Sequence, residues 1–406
     1  MAHGSIAADS STSTALAATF DAVRRHTDHL SAALSPEDQV IQSMADASPV
    51  KWHRAHTTWF FEQFVLLPND PAYVPYDPSF GFLFNSYYEA VGARHPRATR
   101  GLVTRPGAGA VGQYRRHVDH AVHALLADAQ TADRLSELVT LGINHEQQHQ
   151  ELLVTDILHA FAQNPLAWCD DGLPTLPGWR PPAGTPGPTR FLERLGGLAG
   201  IGHTGGGFGF DNEYPRHHQL LQPHALASRL VRNGEWLQFM ADGGYRTATL
   251  WMADGWDQVR SNGWDAPMHW RPDGEGGWLT VSPAGLAPVD PDAPVRHVSW
   301  YEADAYARWA DARLPTEAEL EAASDDLPEF FGHVWQWSNS AYLPYPRFKA
   351  VAGPIGEYNG KFMINQMVLR GSSWATPPGH HRSSYRNFFT PEKRWQVTGV
   401  RLARDL

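Results

Sequence analysis

Two histidines four residues apart, in the run His145-Glu146-Gln147-Gln148-His149, are the residues of this chain best placed to do chemistry. On an α-helix, positions i and i+4 share a face with Cβ atoms roughly 5–6 Å apart, so both imidazoles can reach one metal ion. The flanking sequence has the helical pattern this requires. Leu135, Leu138, Val139, Ile143, Leu152, Leu153, Ile157 and Leu158 recur at helical spacing between Thr131 and Phe161, with no Gly or Pro after Gly142.

Three readings of the pair compete. Among 21 histidines some i,i+4 pair arises by chance. His-Glu-x-x-His on a helix is also the zinc-protease signature, with Glu146 as general base. That site needs a third ligand downstream, yet the helix ends near residue 163 in a Pro-rich stretch and no His-x-x-Gly-x-x-His follows. The third reading recruits an upstream histidine, His53 or His56, from Trp52-His53-Arg54-Ala55-His56-Thr57-Thr58-Trp59-Phe60-Phe61-Glu62. Three neutral imidazoles leave open positions on a divalent ion, close to the facial arrangement of non-haem iron oxygenases. Helical phase alone does not choose between His53 and His56.

The elements that must position these side chains follow from the same patterns. Helices are expected over Ala15–Ala33, Pro36–Asp46 (with Ser35 as N-cap), Val50–Val65, Ala110–Ala129 and the motif helix, as in an antiparallel bundle. Residues 1–14 read as a disordered lead-in without the basic start and apolar core of a signal peptide. Seven prolines, from Pro165 to Pro188, mark residues 164–190 as a linker. Beyond it the texture turns to Gly, Trp and short apolar runs, with helices expected only at Asn233–Asp242 and Trp300–Asp311. The 406 residues thus divide into a helical domain over 15–163 and a loop-rich α+β domain over 191–406.

A formal net charge of −10 and the lack of a basic, aromatic-laced run argue against nucleic acid as a partner. No stretch approaches the ~20 apolar residues of a membrane span. The single cysteine, Cys169, excludes a disulfide framework or thiolate cluster. A cytoplasmic enzyme acting on small molecules is expected; the sequence carries no signal for oligomeric state.

Several blocks of the second half, Phe208-Gly209-Phe210-Asp211-Asn212-Glu213, Pro294-Val295-Arg296-His297-Val298-Ser299-Trp300, Arg313-Leu314-Pro315-Thr316-Glu317-Ala318-Glu319, Gly332-His333-Val334-Trp335-Gln336-Trp337 and Leu369-Arg370-Gly371-Ser372-Ser373-Trp374, resemble the formylglycine-generating-enzyme (sulfatase-modifying factor) fold, a C-type-lectin-like domain. The ending Gly399-Val400-Arg401-Leu402-Ala403-Arg404 is similar too. The first half resembles the DinB-like four-helix bundle in its two histidine segments. That pairing resembles the hercynine-modifying sulfoxide synthases of ergothioneine biosynthesis and their selenium-handling sister, selenoneine synthase. Bacterial formylglycine-generating enzymes bind copper through cysteines, so with Cys169 alone that activity is not expected and the fold is reused.

The resemblance implies a non-haem Fe(2+) enzyme with O2 as co-substrate. It would join a chalcogen to the imidazole C2 of hercynine, with a selenosugar as donor, or cysteine or γ-glutamylcysteine in the sulfoxide-synthase alternative. A non-catalytic binding module is the reading from a different class. The resemblance implies His56, His145 and His149 as iron ligands, with His53 as a packing or supporting residue. It places Gln148 against the histidine-derived substrate. In Asn85-Ser86-Tyr87-Tyr88-Glu89 it implies that Tyr87 or Tyr88 supplies a proton or hydrogen atom. Around Ser384-Tyr385-Arg386-Asn387-Phe388-Phe389 it implies substrate contacts: Asn387 to the carboxylate, Phe388 and Phe389 beside the trimethylammonium, and Arg386 among them. Arg94, Arg97, Arg100 and Arg105 follow the tyrosines in a loop with Pro96 and Pro106, and such a guanidinium cluster serves either to hold an anionic co-substrate or as a solvated face.

Overall fold

A computed structural model describes residues 10–89, 91–168, 176–177, 187–350 and 359–406. By compactness the chain forms two units, Met1–Ala160 and Phe161–Leu406. Cys169, residues 1–9 of the lead-in and most of the Pro-rich linker lie outside the described residues.

The first unit is a helical bundle. Its long helices are α1 (Ser10–Ser31), α2 (Val50–Phe60), and, after the short turns α3 (Leu67–Asn69) and α4 (Phe80–Leu83), α5 (Ala108–Leu126) and α6 (Ala129–Gln163). Helix α1 starts inside the segment expected to be a disordered lead-in. Helix α2 continues into a π-helical turn over Phe61–Leu66, a device that inserts a residue and is found often at functional sites. That turn buries Glu62, whose carboxylate accepts from the hydroxyls of Tyr73 and Tyr114 at 2.6 and 2.7 Å.

The helix expected over Pro36–Asp46 is a correction. The start signal is built: the Ser35 hydroxyl accepts from Asp38 N and the Asp38 carboxylate accepts from Ser35 N. Yet only a 3-10 turn, Asp38–Val40, follows. The Gln39 and Gln42 side chains donate instead to the Leu34, Ala47 and Arg97 carbonyls, holding the segment as a loop across the bundle.

The second unit is sheet-rich. Its strands run β1 (Phe191–Arg194), β2 (Gly197–Ile201), β3 (His217–Leu221), β4 (His224–Ala227), β5 (Trp270–Pro272) and β6 (Trp278–Ser282). They continue with β7 (Gly285–Pro288), β8 (Trp335–Ala341), β9 (Met367–Gly371), β10 (Asn387–Phe389), β11 (Thr398–Gly399) and β12 (Ala403–Asp405). The sheet orders are β1-β4-β12, β10-β9-β8-β11, β2-β3 and β5-β6-β7.

Helices α7 (Asn233–Ala241) and α9 (Trp300–Trp309) match expectation. Two more, α8 (Ala253–Asn262) and α10 (Glu317–Ala323), were not anticipated. Both carried a signal. Gly263 ends α8 at φ 64°, and Thr316 with Glu319 forms a capping box at the start of α10. Leu320 and Ala323 of α10 pack with Leu226, Leu327, Phe330 and Ala403 in a core cluster. Beneath α10, fully buried Arg370 bonds Glu321 at 2.6 Å and Glu317 at 3.0 Å.

Candidate metal centre

The site begins with how closely α6 approaches α2. At Gly142, one turn before His145, an added Cβ would lie 2.6 Å from the Phe61 ring and 2.9 Å from that of Phe60. Only glycine permits that contact. Helix α6 is held from its other side by Glu146, which is 0% exposed. Its carboxylate accepts from Arg24 Nη1 (2.7 Å) and Thr27 Oγ1 (2.6 Å) of α1 and from Arg115 Nη2 (3.1 Å) of α5. Burial alone would raise the Glu146 pKa, but Arg24 and Arg115 outweigh it and bring it down to about 2. A carboxylate committed to two guanidiniums is no general base, so the zinc-protease reading fails here.

With α6 so placed, His56, His145 and His149 converge. Each offers one nitrogen, and these lie within 4.8 Å of one another. Ring centroids are 5.0 Å apart for His56–His145, 4.8 Å for His56–His149 and 4.6 Å for His145–His149. Trp52 and Trp59 stack on the two sides of His56 at 4.5 and 5.4 Å. His56 Nδ1 donates to the Phe84 carbonyl at 2.6 Å, since a carbonyl only accepts. The lone pair is therefore on Nε2, which is buried and without a hydrogen-bond partner.

Burial, then neighbouring His145, hold His56 well below the ordinary histidine range; burial, His145 and His56 do the same for His149. Burial takes His145 down to about 3. Neutral imidazoles are what a metal needs. Neighbouring ligands at a ~2.1 Å metal–imidazole bond stand about 3 Å apart, inside the 4.8 Å within which these donors lie, so an ion would draw the rings together. The orphaned His56 Nε2, three neutral imidazoles and water-poor packing fit a borderline divalent metal.

His53, one turn before His56, is not a ligand candidate. Its Nδ1 lies 2.9 Å from His149 Nδ1 and its Nε2 3.1 Å from the Asp156 carboxylate. Asp156 was missed in the sequence; its only signal is its position two turns after His149 on α6.

The other expected residues fall in different surroundings. Tyr88 is buried and half-buried Tyr87 stacks on it at 4.7 Å. Tyr88 meets Trp59 at 5.5 Å, so one indole separates the tyrosine pair from His56. Gln148 is half-buried beside His149.

In the second unit, Arg386 is a correction. Its guanidinium is 2% exposed and bonds the Glu317 carboxylate at 2.9 and 3.0 Å, with the Asn212 and Leu343 carbonyls taking further donors. Four of its five N–H donors are spent inside the fold, so it serves the fold first. Asn387, Phe388 and Phe389 form β10, all half-buried. The Asn387 side-chain oxygen accepts from Phe388 N, and Phe388 stacks on Tyr342 at 4.0 Å.

The arginine cluster also divides. Exposed Arg94 pairs with Glu89, and Arg97 and Arg105 donate to backbone carbonyls. Arg100 is 3% exposed, donates to Ser48 and Ser86, and lies 3.4 Å over the Trp52 ring.

The sulfatase-modifying factor enzyme 1-like domain matches residues 194–327 and 325–406. The hercynine oxygenase of Mycolicibacterium thermoresistibile is 30% identical over 416 residues, covering 88% of this chain and 88% of that protein. The chain belongs to the hercynine oxygenase family. The hercynine oxygenase of Mycolicibacterium smegmatis is 31% identical over 66% of this chain and 71% of its own length. The formylglycine-generating enzyme of Streptomyces coelicolor is 35% identical over 35% of this chain and 49% of its own length. Membership of an oxygenase family makes the chain an oxidoreductase. Among the described residues no helix is long and apolar enough to cross a membrane.

Proposed function

We propose that this chain is an O2-dependent, non-haem iron(II) enzyme that joins a chalcogen to C2 of the hercynine imidazole. The observation that carries the reading is the convergence of neutral His56, His145 and His149, with the His56 lone pair unspent, in a chain related to hercynine oxygenases over most of its length. That convergence argues against a non-catalytic binding module. Bound iron supplies a Lewis acid with open positions, able to activate dioxygen beside the substrate. In the overall reaction the C2 hydrogen and the donor's chalcogen-bound hydrogen leave in water. The second oxygen ends on the chalcogen, so the four electrons gained by O2 balance the new bond and its oxidation.

The chain's own groups take the remaining tasks. Trp52 and Trp59 keep His56 from turning and exclude water from one side of the cluster. Tyr87 or Tyr88 holds the proton or hydrogen atom that steers oxygen use toward bond formation. Gln148 contacts the imidazole of the substrate and Asn387 its carboxylate. Phe388 and Phe389 present ring faces to the trimethylammonium, worth about 0.5–2 kcal/mol.

The overall resemblance points to a selenosugar as donor. A second reading, a thiol donor such as cysteine or γ-glutamylcysteine, is favoured by Arg100. Burial, then Arg97, push its pKa down, with Arg94 adding to the push and the Asp156 carboxylate pulling the other way without cancelling them. A buried guanidinium crowded by further arginines is stabilised by an anionic ligand, and both thiols carry a carboxylate. The test offers hercynine with selenosugar, thiosugar, cysteine and γ-glutamylcysteine in parallel, with iron(II) under air, and identifies products by mass. A C2 adduct with one donor class fixes the donor, and no adduct with any of the four overturns the proposal. If the donor is a thiol, Arg100→Gln raises its KM at least tenfold and leaves that for hercynine within about threefold.

A further inference from the structure

We propose that Asp156 and His53 form a relay that fixes the tautomer of His149, so that His149 presents its Nε2 lone pair to the metal. His53 is thus a positioning residue for the site. The inference rests on the reading of His56, His145 and His149 as metal ligands.

The geometry allows one arrangement of protons when His53 is neutral. Asp156 Oδ2 lies 3.1 Å from His53 Nε2, and a carboxylate only accepts, so the His53 proton is on Nε2. The same oxygen accepts from the Ser48 backbone N–H at 2.8 Å, which anchors it to a fixed point of the chain. A neutral imidazole protonated on Nε2 has its lone pair on Nδ1. His53 Nδ1 is 2.9 Å from His149 Nδ1, so the proton between them belongs to His149. His149 Nε2 is then the unprotonated nitrogen.

The parts are set by helix geometry. His149 and Asp156 stand seven residues apart on α6, two turns along one face, and His53 enters from α2 to bridge them. His53 and Asp156 are 3% and 4% exposed, so water has little access to the bond between them. His56 reaches the same end by another route, since its Nδ1 proton goes to the neutral Phe84 carbonyl. A carboxylate at the far end of the relay makes His149 the more basic donor, as carboxylate–histidine pairs do at metal sites.

Two measurements test this. In metal-free wild-type protein labelled with 15N-histidine, two-bond 15N–1H spectra should show His149 protonated on Nδ1; protonation on Nε2 overturns the relay. In competition titrations with cobalt(II) and a chelator, His53→Phe, which has no acceptor, should weaken binding about 10–100-fold. His53→Asn, whose side-chain oxygen can stand near the Nδ1 position, should recover most of that loss. Equal affinity in all three proteins, or equal loss in both variants tracking their thermal stability, means that His53 only packs. If wild type binds no divalent metal, the ligand reading fails, and the tautomer measurement still decides the relay.

Discussion

Replacing Glu146 by Gln separates two roles that the His-Glu-x-x-His run permits. The side chain keeps its size but loses its charge, and its amide group faces guanidinium N–H donors. Arg24 then retains Asp119 at 2.7 Å, and the remaining salt-bridge partner of Arg115 among the described residues is Asp28, which is 52% exposed. Removing one member of a buried ion pair costs about 3–5 kcal/mol, because the other charge stays buried and uncompensated. The carboxyl's own shift agrees in scale. From 4.5 to about 2 in a fully buried group, at 1.36 kcal/mol per pKa unit, is on the order of 3 kcal/mol. A unit of this size loses about 2–4 °C of Tm per kcal/mol, so Glu146→Gln should melt on the order of 10 °C lower. At a temperature where the variant remains folded, it should bind metal and turn over at near wild-type rates. Calorimetry and steady-state rates on one preparation check both. Unchanged Tm with activity lost by orders of magnitude would make Glu146 a catalytic base and refute the structural argument.

Three other outcomes follow from the same site. His56→Ala, His145→Ala and His149→Ala should each remove most bound iron and activity while circular dichroism stays that of a folded protein; full activity in His145→Ala contradicts the ligand set. Tyr→Phe at the active member of Tyr87 and Tyr88 should leave hercynine affinity intact and slow product formation by ~10²–10⁴-fold, or divert oxygen to donor oxidation; normal rates in both single variants and the double variant exclude the role. The metal-free bundle should weaken in acid. His56, His145 and His149 lie below their ordinary value when folded, so below about pH 6.5 the unfolded chain binds more protons. The resulting loss is up to about 1.4 kcal/mol per pH unit for each, continuing for His145 toward about pH 3. Urea unfolding at pH 7.5, 6 and 5 measures it, and equal stability at all three speaks against neutral buried ligands.

What the sequence determined by itself was local. The i,i+4 histidines, the apolar period around them and the proline cluster after them depend on residues within a few turns, so the helix, the ligand pair and the change of texture are legible without a partner. The motif blocks of the second half carry the fold for the same reason. Tertiary structure decided everything that depends on a distant neighbour. His53 and His56 share a face of α2, and only Phe84 and Asp156, brought in by other segments, distinguish the candidate ligand from its support. Glu146 could have been a base until Arg24, 122 residues away, claimed it. Arg386 could have met substrate until Glu317 occupied its guanidinium. Each of these side chains has more than one chemical use, and burial, which desolvates a charge and forces it to find a partner, selects the use that the fold can satisfy.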